Sequence, residues 1–226
     1  MRGKSTLTHE SADDESRPRR RYDSAVRRQR AAQTRDRIAT VGAALVRSQR
    51  TWDWGPLTFR AVAERAGVSE STVYRHFASE RELHDAVMRK LQDEAGVTYE
   101  GVALDEVAGV AARIFAALSS FAVTTWTPVT DDPTLVTVDQ ARGKALRDAV
   151  AGAAPHWSPG QRDVAAGVLD VLWSPISFER LNIQWQMNPH QATEAIRWAI
   201  ELVVRSVNDG PAPDISRPEH PEGPLS

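Results

Sequence analysis

The chain has 226 residues, of which 41% are hydrophobic and 26% are charged, and its formal net charge is −2. This length suits one compact domain or two small ones, with enough apolar material for a core. The sequence contains no cysteine, which excludes disulfides, thiolate zinc sites and cysteine nucleophiles. No apolar run approaches the roughly 18 residues of a membrane span. We therefore expect a cytoplasmic protein with no membrane partner, no metal and no cofactor.

The first part of the chain is basic and the rest is acidic. Residues 1–50 contain 13 lysines and arginines against 6 aspartates and glutamates, a net charge of +7. Residues 51–226 contain 15 against 24, a net charge of −9. A basic end on an otherwise acidic protein indicates a surface that faces nucleic acid.

Residues 1–29 are polar and lack hydrophobic periodicity, so we predict a disordered basic arm. Arg27 and Arg28 lie in its last basic cluster, immediately before the first predicted helix. Two interpretations stay open for this arm. It is either a solvated tail, or a segment that contacts phosphates or the minor groove and adds salt-dependent affinity for DNA.

A helix from about Arg30 to Arg50 and a link over residues 51–56 come next. The helix is predicted because its apolar residues lie along one stripe. The link contains Trp52 and Trp54, which either close the core of a small domain or form a surface patch.

The run from Leu57 to Leu83 is the most informative part of the sequence. Apolar residues recur at the spacing of one helical face, at Phe59, Val62, Ala63 and Ala66. Gly67 then suits a left-handed helix C-cap, and Ser69 suits the N-cap of a second helix. That helix, about Glu70 to His76, is short and polar, with only Val73 and the following Phe77 needed inside. Two helices joined by so short a turn form a helix-turn-helix.

This run resembles the DNA-binding domain of TetR-family transcriptional regulators. The resemblance rests on Thr58–Ala63, Ala66–Ser69 and the Tyr-x-His-Phe ending of Val73–Phe77, and it covers about a quarter of the chain. It implies a helix-turn-helix domain over residues 30–78 that binds a double-stranded, palindromic operator as a homodimer. It also implies a helical effector-binding and dimerisation domain over residues 79–208.

The outward positions of the motif are the predicted DNA contacts, because arginine binds guanine O6 and N7, hydroxyls donate to phosphates or bases, and tyrosine reaches phosphate. With the two arm arginines, the set is Arg27, Arg28, Arg60, Ser71, Thr72, Tyr74, Arg75, His76 and Arg81. Glu70 either stabilises the helix dipole or accepts from cytosine N4. Glu80 departs from the family, in which many members have a phosphate-contacting lysine here, so Arg81 is included as the nearest substitute.

Helical patterns continue through the body without any strand pattern. We predict helices over residues 79–94, 105–126, 134–152, 161–186 with a break at Pro175, and 189–207. Five prolines between residues 209 and 226 predict a disordered tail. The fold class is therefore all-α, with an N-terminal three-helix DNA-binding domain and a larger helical domain for ligand binding and dimerisation.

Aromatic residues of the body either pack in its core or line an apolar ligand site. The candidate ligand residues are Met88, Phe115, Phe121, Trp126, Arg142, Trp173 and Phe178. The last helices are apolar enough to form a four-helix bundle between two chains. The candidate interface residues are Leu172, Ile176, Ile196, Ile200, Val203 and Val204.

These features predict a dimeric, DNA-binding transcriptional repressor that a small apolar or aromatic effector releases from its operator. One alternative is a DNA-binding regulator controlled by a protein partner or by its own abundance. A third class, a helical enzyme or ligand carrier, lacks support because no H-E-x-x-H, G-x-S-x-G or phosphate-binding glycine loop occurs. We therefore expect no catalytic residues. Whether the regulator represses or activates is left open by the sequence, as are its operator and its effector.

Overall fold

The computed structural model describes residues 17–49, 54–121 and 132–215, with side chains from residue 25 onward. Within these ranges the chain folds into nine α-helices without a strand, which confirms the predicted all-α class. None of the described helices is long and apolar enough to cross a membrane. The helices are α1 (Arg17–Ser48), α2 (Phe59–Ala66), α3 (Glu70–His76), α4 (Glu80–Ala95), α5 (Val107–Leu118), α6 (Pro133–Ala153), α7 (Pro159–Trp173), α8 (Pro175–Gln184) and α9 (Pro189–Asp209).

Side-chain caps decide where most helices begin. Each cap accepts a hydrogen bond from a backbone N–H group of the first turn, which otherwise has no partner. These caps are Thr58, Ser69, Ser79, Asp132, Ser158, Ser174 and Asn188. Proline occupies the first position of α6, α7, α8 and α9, where its missing N–H costs nothing. Pro175 therefore starts a new helix directly after α7, as predicted.

The first helix begins earlier than the sequence suggested. We predicted disorder for residues 1–29 because they lack apolar periodicity, but α1 already starts at Arg17. Arginine and alanine have high helix propensity, and Pro18 lies in the first turn, where proline is tolerated. The predicted arm is thus helical from residue 17, and residues 1–16 lie outside the described part of the chain.

Helices α1 to α4 share one hydrophobic core, and we call this part the head. The core residues of α4 are Leu83, Ala86, Val87, Met88 and Leu91. The apolar face of α4 is buried in this core, whereas the predicted body begins at residue 79, and this boundary stays a prediction. Trp54 is 1% exposed within that core, so one of the two link tryptophans closes the head; Trp52 lies outside the described residues.

Helices α1 and α4 cross closely at Gly42. A Cβ atom at this position would lie 2.5 Å from Cγ2 of Val87. Because Val87 is fully buried and branched at Cβ, it has little freedom to move away. Gly42 therefore sets the distance between α1 and α4.

Helices α5 to α9 form the second core, and we call this part the body. Its centre is a stacked pair of rings, Phe115 and Phe178, with centroids 4.8 Å apart. The start of the predicted disordered tail also packs here. Ala212 contacts the core, and the Gln161 side chain donates to the Pro213 carbonyl at 3.3 Å. These contacts place the first residues of the predicted disordered tail against the body.

Candidate nucleic-acid interface

Helices α2 and α3 meet through a turn whose geometry demands glycine. Gly67 has φ = 64°, in the left-handed region that glycine adopts without strain. Val73 and Phe77 are fully buried and anchor α3 against the head core. With these two positions inside, the remaining side chains of α3 face outward, as a DNA-reading helix requires.

The outward face of α3 carries hydroxyl groups at its start and basic groups at its end. The Ser69 hydroxyl lies 2.9 Å from the hydroxyl of Ser71 and 2.8 Å from that of Thr72. Arg75 is exposed near the other end, beside a half-buried His76. These are groups that bind phosphates and base edges.

Tyr74 is oriented by an aromatic contact. Its ring packs edge-on against Phe59, with ring centroids 4.6 Å apart, yet 59% of the residue is exposed. A phenol held in this way keeps its hydroxyl available to a phosphate. Arg60 on α2 and Arg81 on α4 are also exposed.

His76 is held in its neutral form. Partial burial lowers the pKa of its imidazole, and the positive charges of Arg75 and Arg35 lower this pKa further. Both effects favour the neutral imidazole, which offers a donor and an acceptor to the surface.

Arg35 of α1 fixes the end of α3, a role that the sequence did not reveal. Its guanidinium donates to the backbone carbonyl of His76 and, at 2.8 Å, to Oε1 of Glu82. It also lies 4.2 Å above the centre of the Phe77 ring, a favourable cation–π distance. Glu82 accepts in addition from the Ala78 N–H at 2.8 Å. This bond, followed by those with Arg35, lowers the pKa of the Glu82 carboxyl.

Glu80, the residue that departs from the family pattern, has a structural role. Its Oε1 accepts a hydrogen bond from the Phe59 N–H at 3.2 Å, while the Thr58 hydroxyl accepts from the Ala61 N–H. Two side chains thus satisfy the start of α2, one of them from α4. A lysine at position 80 cannot accept this bond.

We expect Glu80→Lys to lower the stability of the head and to strengthen its binding to DNA. Loss of the bond to Phe59 should lower the free energy of unfolding by about 0.5–1.5 kcal/mol. The added positive charge should strengthen binding to any duplex DNA and steepen its salt dependence by about one unit. Glu80→Gln is the matched control, since glutamine keeps the acceptor oxygen. Urea unfolding and DNA fluorescence anisotropy measure both effects, and a lysine variant as stable as the parent would contradict the capping role.

Arg27 and Arg28 are exposed on α1. They therefore belong to a continuous helix and not to the flexible arm that we predicted. A DNA contact from these residues would extend from the side of a helix.

A cavity of about 260 Å³ lies where the head meets the body. Its wall includes four of the predicted ligand residues, Met88, Phe121, Arg142 and Trp173. Phe115 and Phe178, also predicted as ligand residues, are not part of this wall, because they stack on each other in the body core. Trp126 lies outside the described residues.

The outer face of α7 and α9 carries exposed apolar residues, which we call the α7–α9 stripe. Its members are Val164, Val168, Val171, Trp198 and Leu202. The predicted interface residues Ile196 and Ile200 instead lie in the body core, at 3% and 0% exposed, because α9 packs that face on α5. Leu172, Val203 and Val204 pack partly against the same core. Ile176 is exposed but contributes to the cavity wall.

The protein is all-helical, and its compact head carries a short helix whose polar side chains face outward. This is the arrangement of a helix-turn-helix DNA-binding protein. The comparison with protein families identifies the type. Residues 53–87 match the family described as "Bacterial regulatory proteins, tetR family". The head therefore carries a TetR-family domain, as the sequence resemblance indicated, and the chain is a DNA-binding transcriptional regulator. The match ends within α4, and the search of curated proteins finds no match.

Proposed function

We propose that the chain is a homodimeric repressor, acting in the cytoplasm, whose hold on its operator is relieved by a small apolar effector in the cavity. One observation carries this proposal. Met88 and Leu91 belong to the head core and also to the cavity wall. An occupant of the cavity therefore touches α4, which packs against α1, and Arg35 of α1 bonds both to Glu82 of α4 and to the end of α3.

Helix α4 is tied to both parts of the molecule. Toward the head, Lys90 forms an ion pair with Asp36 of α1 at 2.9 Å. Toward the body, Asp85 accepts a hydrogen bond from the hydroxyl of Thr134 at 2.8 Å, and Thr134 is 2% exposed. A ligand that binds one position of α4 better than another shifts the placement of the head by that difference in affinity.

We assign the α7–α9 stripe to a second copy of the chain. Val171 and Trp198 are each 63% exposed, and such an apolar surface on neighbouring helices indicates a protein interface. Gly167 lies among the valines of α7, and a Cβ atom there would meet nothing within 4 Å. A glycine inside a helix lowers the stability of the helix by about 1 kcal/mol relative to alanine. Close approach of a second chain at this position would require a residue without a side chain.

A two-fold arrangement suits both the stripe and the DNA. Charges of both signs flank the stripe, with Asp163 on α7 and Arg205 on α9, so an isologous contact can place opposite charges together. Two heads on such a dimer can read two half-sites of a palindrome, which compensates for the short reading helix.

The proposed reading surface predicts the effect of two substitutions. Arg75→Ala and Thr72→Ala should each weaken operator binding, by about 1–3 kcal/mol if the side chain contacts a base, while the oligomeric state stays unchanged. Arg180→Ala, at an exposed position of α8, is the control for loss of one positive charge. Gel-shift titrations on a selected operator across several salt concentrations measure the effect. Unchanged affinity in both variants would contradict the assigned surface.

Effector control is tested by a screen of apolar compounds with the full chain. A compound that binds only the native state raises the melting temperature, and an effector must in addition release the operator. Leu91→Phe, which fills the cavity from α4, should reduce the response to such a compound. If no compound raises the melting temperature, control by a partner or by abundance becomes the better description.

A further inference from the structure

We propose that the cavity selects a neutral aromatic ligand carrying a hydrogen-bond acceptor such as a carbonyl oxygen, that Tyr99 donates to this acceptor, and that carboxylates are rejected. This inference rests on the proposed function, because it gives the chemical class of the effector for the same cavity. It follows from the charges and hydrogen bonds of the few polar groups in the cavity wall.

Arg142 is the obvious partner for an anion, but its charge is already balanced. Its Nε donates to Asp170 and its Nη1 donates to Asp139, each at 2.8 Å. Burial lowers the pKa of the guanidinium, but the bond and charge of Asp170 and the charge of Asp139 outweigh that effect and raise it. With two carboxylates against one guanidinium, this end of the cavity offers no net positive charge.

The rest of the wall also disfavours an anion. Asp139 itself contributes to the wall, so a bound carboxylate would lie near a like charge and lose water as well. Arg47, the other cation of the wall, forms an ion pair with Glu94. Both cations are therefore already paired within the protein.

Tyr99 supplies the hydrogen bond that Arg142 does not. Burial raises the pKa of its phenol, and although Arg142 lowers it, Asp139 raises it further, so the hydroxyl stays protonated at neutral pH. Gln92, another wall residue, acts in the opposite direction and lowers this pKa. Among the described residues no acceptor receives the Tyr99 O–H, which is therefore available to a ligand.

Trp173 adds an aromatic surface to the wall. Its ring lies 5.9 Å from the Tyr99 ring, and both residues belong to the wall. With Phe121 also in the wall, the cavity provides aromatic surface for a flat ring system. Its volume of about 260 Å³ lies just below the roughly 300–1,000 Å³ of typical small-molecule sites, so the ring system must be compact.

Three matched probes test this selectivity by calorimetry with the full chain. They are 2-acetylnaphthalene, 2-ethylnaphthalene and 2-naphthoate, which share a ring system and differ in the group that meets Tyr99. We expect the ketone to bind most tightly and the carboxylate at least tenfold more weakly than the ketone. Tyr99→Phe should weaken the ketone by about threefold to tenfold and leave the ethyl compound unchanged. Thr193→Val, which removes an exposed hydroxyl of α9 outside the cavity wall, is the control.

The outcomes distinguish a failure of this inference from a failure of the proposed function on which it rests. Equal binding of ketone and carboxylate, or a ketone affinity unaffected by Tyr99→Phe, overturns the inference. Operator release by the ethyl compound would then still support effector control. If none of the three probes binds, the inference is overturned, and the screen of apolar compounds decides the proposed effector site separately. The comparison of ketone with ethyl compound on the parent protein decides the need for an acceptor even if the phenylalanine variant folds poorly.

Discussion

Replacing Val168 and Trp198 together by glutamate is expected to yield a monomer whose operator affinity is about 100- to 10,000-fold lower. Both residues are exposed on the α7–α9 stripe, at 45% and 63%, so the change removes little from the chain's own core. In a dimer, however, it would place four carboxylates in an apolar interface, where each loses water without gaining a partner. The loss in affinity arises because a single head then reads one half-site.

Sedimentation velocity and fluorescence anisotropy measure this effect directly. Binding to an isolated half-site should stay unchanged, because the head is untouched, while binding to the full palindrome should fall. Val136→Glu is the control, since this valine of α6 is 37% exposed and lies outside the stripe. A double variant that remains a dimer would contradict the assignment of the stripe to a second copy.

Local chemistry made the boundaries of the helices predictable. Ser158 with Pro159, Asn188 with Pro189, and the glycine of the turn each solve a problem within a few residues, namely an unpaired N–H group or a left-handed backbone. The same logic failed for the first helix. Its predicted start depended on apolar periodicity, whereas residues 17–29 are helical through propensity and continuity with the packed part of α1.

The inward and outward faces of α9 were not predictable from its pattern. The helix carries apolar residues on two faces: Ile196 and Ile200 enter the body core, while Trp198 and Leu202 remain exposed. Periodicity shows how many apolar positions there are, but it does not show which face meets the same chain and which meets another. The proposed interface therefore uses the face of α9 opposite to Ile196 and Ile200.

Contacts between polar residues far apart in the sequence could not be predicted either. Arg35 reaches a carbonyl 41 residues later, and Glu80 accepts from an N–H 21 residues earlier. Arg142 was a reasonable candidate for ligand binding, yet its partner Asp170 is 28 residues away. Such partners change the chemistry of a charged residue completely, and only the folded chain brings them together.

Phe77→Ala is expected to destabilise the head by about 3–5 kcal/mol, the range for removing a buried aromatic ring. The ring is fully buried in the head core, it ends α3, and it lies beneath the guanidinium of Arg35. Its loss leaves a void, removes the cation–π contact and frees the end of the reading helix. Specific DNA binding should be lost with it.

Phe115→Ala is the matched control, because this ring is also fully buried but belongs to the body core. Native-state hydrogen exchange distinguishes the two variants. With Phe77→Ala, the amides of α2 and α3 should exchange faster while those of α5 and α9 stay protected, and Phe115→Ala should reverse this pattern. Helix α4 decides the domain boundary: exchange of its amides together with α3 would place it in the head, as its buried face indicates. Protection of α4 together with the body would instead support a boundary at residue 79, and the contact of Met88 and Leu91 with the cavity would then be a contact within the body alone.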